Sequence, residues 1–188
     1  MPTHKALSKQ TLTLPNLLSV LRIMMIPPIV HSFLKGHLWL CGLLIVLSGV
    51  TDVADGWIAR RFSMVSNLGK VLDPIADKLT LAAILALLTT VHPGVMPLFV
   101  ILILREAVMA ATGLACVMQT GMCHSARWHG KASTAVLYAS GLIHILWQEI
   151  PAAASYILIV LCAVLQLFSL ALYTMDNLRC ILRARGGI

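Results

Sequence analysis

The chain has 188 residues, of which 59% are hydrophobic and 11% charged, with a formal net charge of +7. A soluble domain carries roughly a quarter of its residues as charges, so a mean hydropathy of +0.91 excludes a core surrounded by water. It predicts an all-α integral membrane protein, residues 1–188 forming a single membrane domain.

At the N-terminus the apolar stretch after Leu12 is too long for a secretory signal, and no A-x-A-like site follows it. The first ten residues hold no Arg, which argues against a mitochondrial transit peptide. A bilayer core of roughly 30 Å takes about 20 apolar residues per helix. Six stretches meet that need: about 12–34, 38–58, 68–91, 95–119, 132–149 and 152–175. Turn chemistry separates them at Lys35-Gly36-His37, Arg60 to Asn67, His92-Pro93-Gly94, Gly121 to Gly130, and Gln148 to Pro151. Short cytoplasmic loops collect Lys and Arg. With the N-terminus inside, Lys5, Lys9, Arg60, Arg61, Arg127, Lys131, Arg179, Arg183 and Arg185 fall on the cytoplasmic side and Lys35 on the other. The expected topology is therefore six helices, N-in and C-in. The basic surplus reads as topology plus attraction to anionic lipid, not as a nucleic-acid surface.

In the first helix Arg22 lies roughly 15 Å along the axis at about 1.5 Å per residue, deep enough to require a partner such as an aspartate or a bound phosphate. In the fourth, Arg105 and Glu106 are adjacent and form a candidate ion pair. Trp39, Trp57, Trp128 and Trp147 fall near helix ends, where aromatic belts belong. Cys41, Cys116, Cys123, Cys162 and Cys180 stand singly, without zinc-site spacing, and read as small buried hydrophobes. The histidines show no ligand spacing.

The stretch from Thr51 to Thr80 holds four of the seven acidic residues, Asp52, Asp55, Asp73 and Asp77. Spacings of three and four put each pair on one helical face, and a short loop makes helices 2 and 3 antiparallel neighbours. Carboxylates converging at membrane depth repel one another and lose hydration, so a cation belongs among them. Two hard divalent ions, Mg²⁺ or Mn²⁺, would neutralise four charges. Gly56 and Gly69 allow close approach to the backbone, and Arg60 is placed to reach a phosphate. The plainer alternative is an interfacial cluster paired with Arg60, Arg61, Lys70 and Lys78.

The whole frame decides between them. D-x₂-D-G-x₂-A-R-x₈-G-x₃-D-x₃-D is matched at every fixed position by Asp52, Asp55, Gly56, Ala59, Arg60, Gly69, Asp73 and Asp77. In this the chain resembles the CDP-alcohol phosphatidyltransferases along essentially its full length. The resemblance implies a six-helix bundle, usually homodimeric, with its site open to the cytoplasm. It implies that Asp52, Asp55 and Asp73 bind two divalent ions holding the diphosphate of CDP-diacylglycerol, and that Asp77 completes the metal site and acts as general base. It places Gly56, Ala59 and Gly69 at the cytidine pocket and Arg60 beside it or on the diphosphate. Such chemistry needs positioning and charge neutralisation more than a protein nucleophile.

Thr13 to Val30 is similar to the first helix of phosphatidylglycerophosphate synthases, which implies glycerol 3-phosphate as the acceptor. Similar synthases carry an Arg-Glu matched by Arg105-Glu106 and a Gly-Lys matched by Gly130-Lys131. That resemblance makes Arg105, Lys131 and Arg127 the candidates for holding an acceptor phosphate. Two positions depart from that pattern: Gly113 stands where a second Arg is common, and Ser133 where a Lys often follows. Cardiolipin synthases that use phosphatidylglycerol share the frame and are the nearest alternative. An intramembrane prenyltransferase keeps its acidic motifs on well-separated segments, and a cation transporter does not explain the Gly-Gly-Arg frame.

Overall fold

A computed structural model describes residues 14–61, 69–120 and 128–186, with side-chain surroundings over 16–54, 61, 72–119 and 130–182. Among the described residues all regular structure is helical: α1 (Leu14–Leu34), α2 (Leu38–Arg61), α3 (Gly69–Val91), a 3₁₀ turn (Pro93–Val95), α4 (Met96–Thr120), α5 (Trp128–Leu146) and α6 (Ala152–Gly186). Hydrocarbon offers backbone groups no partner, so a chain this apolar satisfies them within helices. Four segments, Asn16–Leu34, Leu72–Val91, Pro93–Gln119 and Ala152–Leu182, are long and apolar enough to cross a membrane, and Leu38–Ala54 is a shorter apolar helix. The protein is an integral membrane protein.

The turn between α1 and α2 has a clear local cause. Gly36 adopts φ 75°, the left-handed region that favours glycine. His37 N–H donates to Ser32 C=O at 2.9 Å and Gly36 N–H to Phe33 C=O at 2.9 Å, the two bonds of a Schellman cap. At the other end of the chain, helix and apolar run part company. α5 starts at Trp128, before the expected span at 132, and ends at Leu146. α6 runs on past 175 to Gly186, because Asp176 to Arg185 is polar but contains neither Pro nor Gly. Hydropathy marks where the bilayer stops, and helix propensity decides where the helix does.

Two compact units divide the chain, Met1–Leu87 and Leu88–Ile188. In the first, α1 packs along α2, with Ile29, Phe33, Cys41 and Ile45 buried, and α3 buries Ala76, Leu81, Ile84 and Leu85. In the second, α6 packs on both α4 and α5, with Leu98, Leu102, Cys116, Leu137, Ile145 and Cys162 buried. Polar groups also join these helices, as suits a medium in which apolar packing alone gives little drive. Gln166 Nε2 donates to Ser133 C=O at 3.3 Å, and Asn177 Nδ2 to Thr112 Oγ1 at 3.0 Å. Ile157, Val160, Leu161, Val164 and Phe168 form an exposed stripe at helical spacing on α6, a face suited to lipid. Trp39 and Trp147 are exposed at helix ends. Cys41, Cys116 and Cys162 are buried and Cys180 is partly so; Cys123 lies outside the described residues.

The break after α3 carries a histidine contact that the spacing did not suggest. The rings of His92 and His144 meet edge to face, centroids 5.6 Å apart. His144 Nδ1 lies 2.7 Å from the Ser140 carbonyl, so it bears the proton and Nε2 accepts from Ser155 Oγ at 3.0 Å. Burial, and then repulsion from His144, hold His92 below the ordinary imidazole range. The fold thus favours neutral His92, while the unfolded chain takes up a proton near about pH 6.5. Stability should be fully present above that pH and decline as pH falls through the window between about 6.5 and the lower folded value. Thermal unfolding in detergent across that window should show the decline, and His92→Gln should flatten it.

Candidate active site

α1 presents Asn16, Ser19 and Arg22 at intervals of three, one polar stripe along its first half. All three are buried, with Ser19 and Arg22 at 0% exposure. The Ser19 hydroxyl donates to Asp73 Oδ1, and Arg22 Nη1 donates to Asp77 Oδ1. The same Nη1 lies 3.0 Å from Asp52 Oδ1. One nitrogen therefore holds carboxylates from two helices. Asp73 and Asp77, four apart on α3, both turn toward α1, as their spacing predicts. Arg22 meets the aspartates and does not reach out to the interface.

The carboxylates are more open than the guanidinium between them. The Arg22 side chain is 1% exposed, against 42% for Asp52 and 35% for Asp77. Over Arg22, Asp52, Asp73 and Asp77, one positive and three negative charges leave −2. In donor chemistry, hard oxygens with that residual charge are what a divalent cation such as Mg²⁺ or Mn²⁺ takes. Among the described residues no group of three or more His, Cys, Asp or Glu is gathered closely enough to hold a metal ion. Asp55, Gly56, Ala59 and Arg60 lie on α2 and Gly69 opens α3, but their side-chain surroundings lie outside the described residues, as does Arg127 altogether. Ser19 was not singled out in the sequence; its place midway between Asn16 and Arg22, on their face, is the signal that would have found it.

In the second unit Arg105, on α4, is 3% exposed. Its Nη1 lies 3.3 Å from Glu106 Oε1 and its Nη2 3.4 Å from Ser169 Oγ on α6. The adjacent Arg-Glu is thus an ion pair, and Arg105 Nε has no hydrogen-bond partner among the described residues. Lys131, near the start of α5, is exposed. Beside it, Gly130 meets Tyr173 of α6: a Cβ there would fall 2.8 Å from a ring carbon and 3.0 Å from the phenol oxygen. Ser133 is buried at 1% exposure, its hydroxyl donating to Gly130 C=O at 3.0 Å. A Cβ at Gly113 would meet nothing within 4 Å.

A model of the CDP-alcohol phosphatidyltransferase family matches residues 12–172. The chain belongs to that family. A Rickettsia felis protein named CDP-diacylglycerol–glycerol-3-phosphate 3-phosphatidyltransferase is 44% identical over 78 residues, 40% of this chain and 43% of that protein. A Bacillus subtilis protein of the same name is 33% identical over 137 residues, 64% of this chain and 70% of its own. A Mycobacterium tuberculosis protein named putative cardiolipin synthase is 39% identical over 106 residues, 55% of this chain and 50% of that one. The chain thus spans less than half of the rickettsial phosphatidyltransferases it matches. Within a CDP-alcohol phosphatidyltransferase, the prenyltransferase and cation-transporter readings of the aspartates fall away.

The contact at Gly130 generates a test. Gly130→Ala should drive Cβ into the Tyr173 ring, an overpacking worth about 1–3 kcal/mol. Thermal unfolding should show the loss, and adding Tyr173→Leu should recover part of it by removing the ring.

Proposed function

We propose that this protein transfers the phosphatidyl group of CDP-diacylglycerol to glycerol 3-phosphate, giving phosphatidylglycerophosphate and CMP. The observation that carries the reading is the convergence of Asp52, Asp73 and Asp77 on the buried Ser19 and Arg22, within a frame matched at all its fixed positions. All six helices cross a bacterial cytoplasmic membrane as one domain, N-in and C-in. The site faces the cytoplasm, and the protein works as a homodimer.

Asp52, Asp55, Asp73 and Asp77 hold two divalent cations, Mg²⁺ or Mn²⁺, which when bound neutralise the diphosphate of the donor lipid. Gly56, Ala59 and Gly69 line the cytidine pocket, and Arg60 steadies the diphosphate. Asp77 takes the proton of the acceptor hydroxyl as its oxygen attacks the phosphatidyl phosphorus. The new P–O bond forms as the diphosphate bridge breaks, and the electron pair leaves with the phosphate of CMP. Arg105 and Lys131, with Arg127, hold the acceptor phosphate. The exposure of Lys131 suits a group that must meet a soluble substrate, and the unpartnered Nε of Arg105 suits one more acceptor atom.

A second reading, transfer to phosphatidylglycerol by a cardiolipin synthase, is favoured by Gly113 and Ser133, where a basic side chain is missing. An acceptor panel separates the two. Purified protein with CDP-diacylglycerol should release CMP with glycerol 3-phosphate, and turnover with phosphatidylglycerol alone would reverse the assignment. In the same assay Lys131→Ala should raise the KM for glycerol 3-phosphate roughly 10- to 150-fold, the weight of one charge-assisted contact, with little change for CDP-diacylglycerol.

The proton is tested separately. Asp77→Asn should lower kcat by about 10²- to 10⁴-fold while binding of a labelled CDP-lipid persists. Asp55→Asn should weaken metal and CDP-lipid binding together. Equal loss of metal affinity in both variants would remove the separate role of Asp77 as base.

A further inference from the structure

Arg22 and Asp77 share a hydrogen bond, and the same Arg22 nitrogen lies 3.0 Å from Asp52 Oδ1. If these carboxylates ligate a divalent cation, as the proposed function holds, the cation and the guanidinium address the same two oxygens. We propose that Arg22 is an exchangeable counter-ion that competes with the divalent cation for Asp52 and Asp77.

Charge and burial argue for exchange over a fixed brace. A guanidinium kept on these oxygens would sit a few ångströms from a doubly charged ion. Poorly screened like charges at that range repel more strongly than one guanidinium–carboxylate pair attracts. The cation approaches through the open faces of Asp52 and Asp77, while Arg22 is 1% exposed and comes from the buried side. Arriving cations therefore meet carboxylates already gathered and push the guanidinium back along α1. An arginine has the reach for this: its long stem pivots, and its planar fork finds another oxygen acceptor, such as a phosphate of the donor lipid. The Ser19 bond to Asp73 uses a neutral donor and can persist beside a cation, so α1 remains tied to α3 throughout.

The test uses the full-length protein in detergent, without nucleotide donor, titrated with Mn²⁺ and read by the electron paramagnetic resonance of the bound ion. Arg22→Gln should bind Mn²⁺ about 10- to 100-fold more tightly than wild type, since it removes a competitor bonded to charged groups. In chelator its thermal midpoint should fall below wild type, and saturating Mn²⁺ should close that gap. Arg22→Lys keeps the charge but lacks the fork and should bind Mn²⁺ with intermediate affinity. It also serves where Arg22→Gln does not fold. Unchanged or weaker Mn²⁺ binding, with the same midpoint gap in chelator and in Mn²⁺, would overturn the proposal and make Arg22 a fixed brace. Wild-type affinity in Arg22→Lys would also overturn it, because the charge would then act without contact. Asp52→Asn and Asp77→Asn test the underlying reading: if both bind Mn²⁺ like wild type, these carboxylates are not ligands, and the metal reading fails whatever Arg22 does.

Discussion

A guanidinium with no exposure inside an apolar bundle is stable only if anions meet it there. Arg22 is in that position, and the anions come from α2 and α3. α1 and α2 also share an extensive packed face, but α1 and α3 meet through side-chain bonds, Ser19 to Asp73 and Arg22 to Asp77. Removing both carboxylates would leave the buried guanidinium uncompensated, whereas the half-open aspartates can turn to water when Arg22 is lost. The residues of the candidate site are therefore also the ones that tie α1 to α2 and α3. A substitution at any of them changes both the candidate site and the helix contacts.

That double use explains what the sequence could and could not reveal. The three- and four-residue spacings of the aspartates, and the depth of Arg22, were enough to predict acidic faces and a buried cation with a partner. Asp73 and Asp77 lie on one face of α3 for that reason, and Arg22 found aspartates. The mutual pairing of Arg105 and Glu106 was readable from adjacency, but the contact to Ser169 was not, because it joins residues 64 apart in the chain. Ser19 escaped notice because a serine in an apolar helix carries no charge to announce it. Only its interval from Asn16 and Arg22 sets it apart.

Helix limits were less legible for a physical reason. The apolar runs of α1, α3, α4 and α6 qualify as spans on composition alone, and α2 is apolar over Leu38–Ala54, where its described side chains end. The apolar run of α5 is diluted by Gly130, Lys131, Ser133, Thr134, Ser140 and His144. Several of these turn inward: Ser133 and Thr134 bond back to the Gly130 carbonyl, and His144 to that of Ser140. Average hydropathy counts such groups against a span although the helix itself satisfies them.

The same bookkeeping bears on the two departures from the glycerol-phosphate pattern. At Ser133 the side chain is buried and its carbonyl receives Gln166 of α6, so a lysine there would have to bring an ammonium into a helix interface. The small residue is what lets α5 and α6 close, in step with Gly130, whose missing Cβ admits the Tyr173 ring. Gly113 differs: a Cβ there has open space, and packing does not demand a glycine. The missing lysine thus follows from how α5 and α6 pack, while nothing in the packing explains the missing arginine. On the proposed acceptor reading, discrimination would turn on the cations that remain, the buried Arg105 braced by Glu106 and Ser169 and the exposed Lys131. The two differ in kind: the guanidinium of Arg105 is a planar fork held in one direction, whereas the Lys131 ammonium is a point charge on a flexible stem.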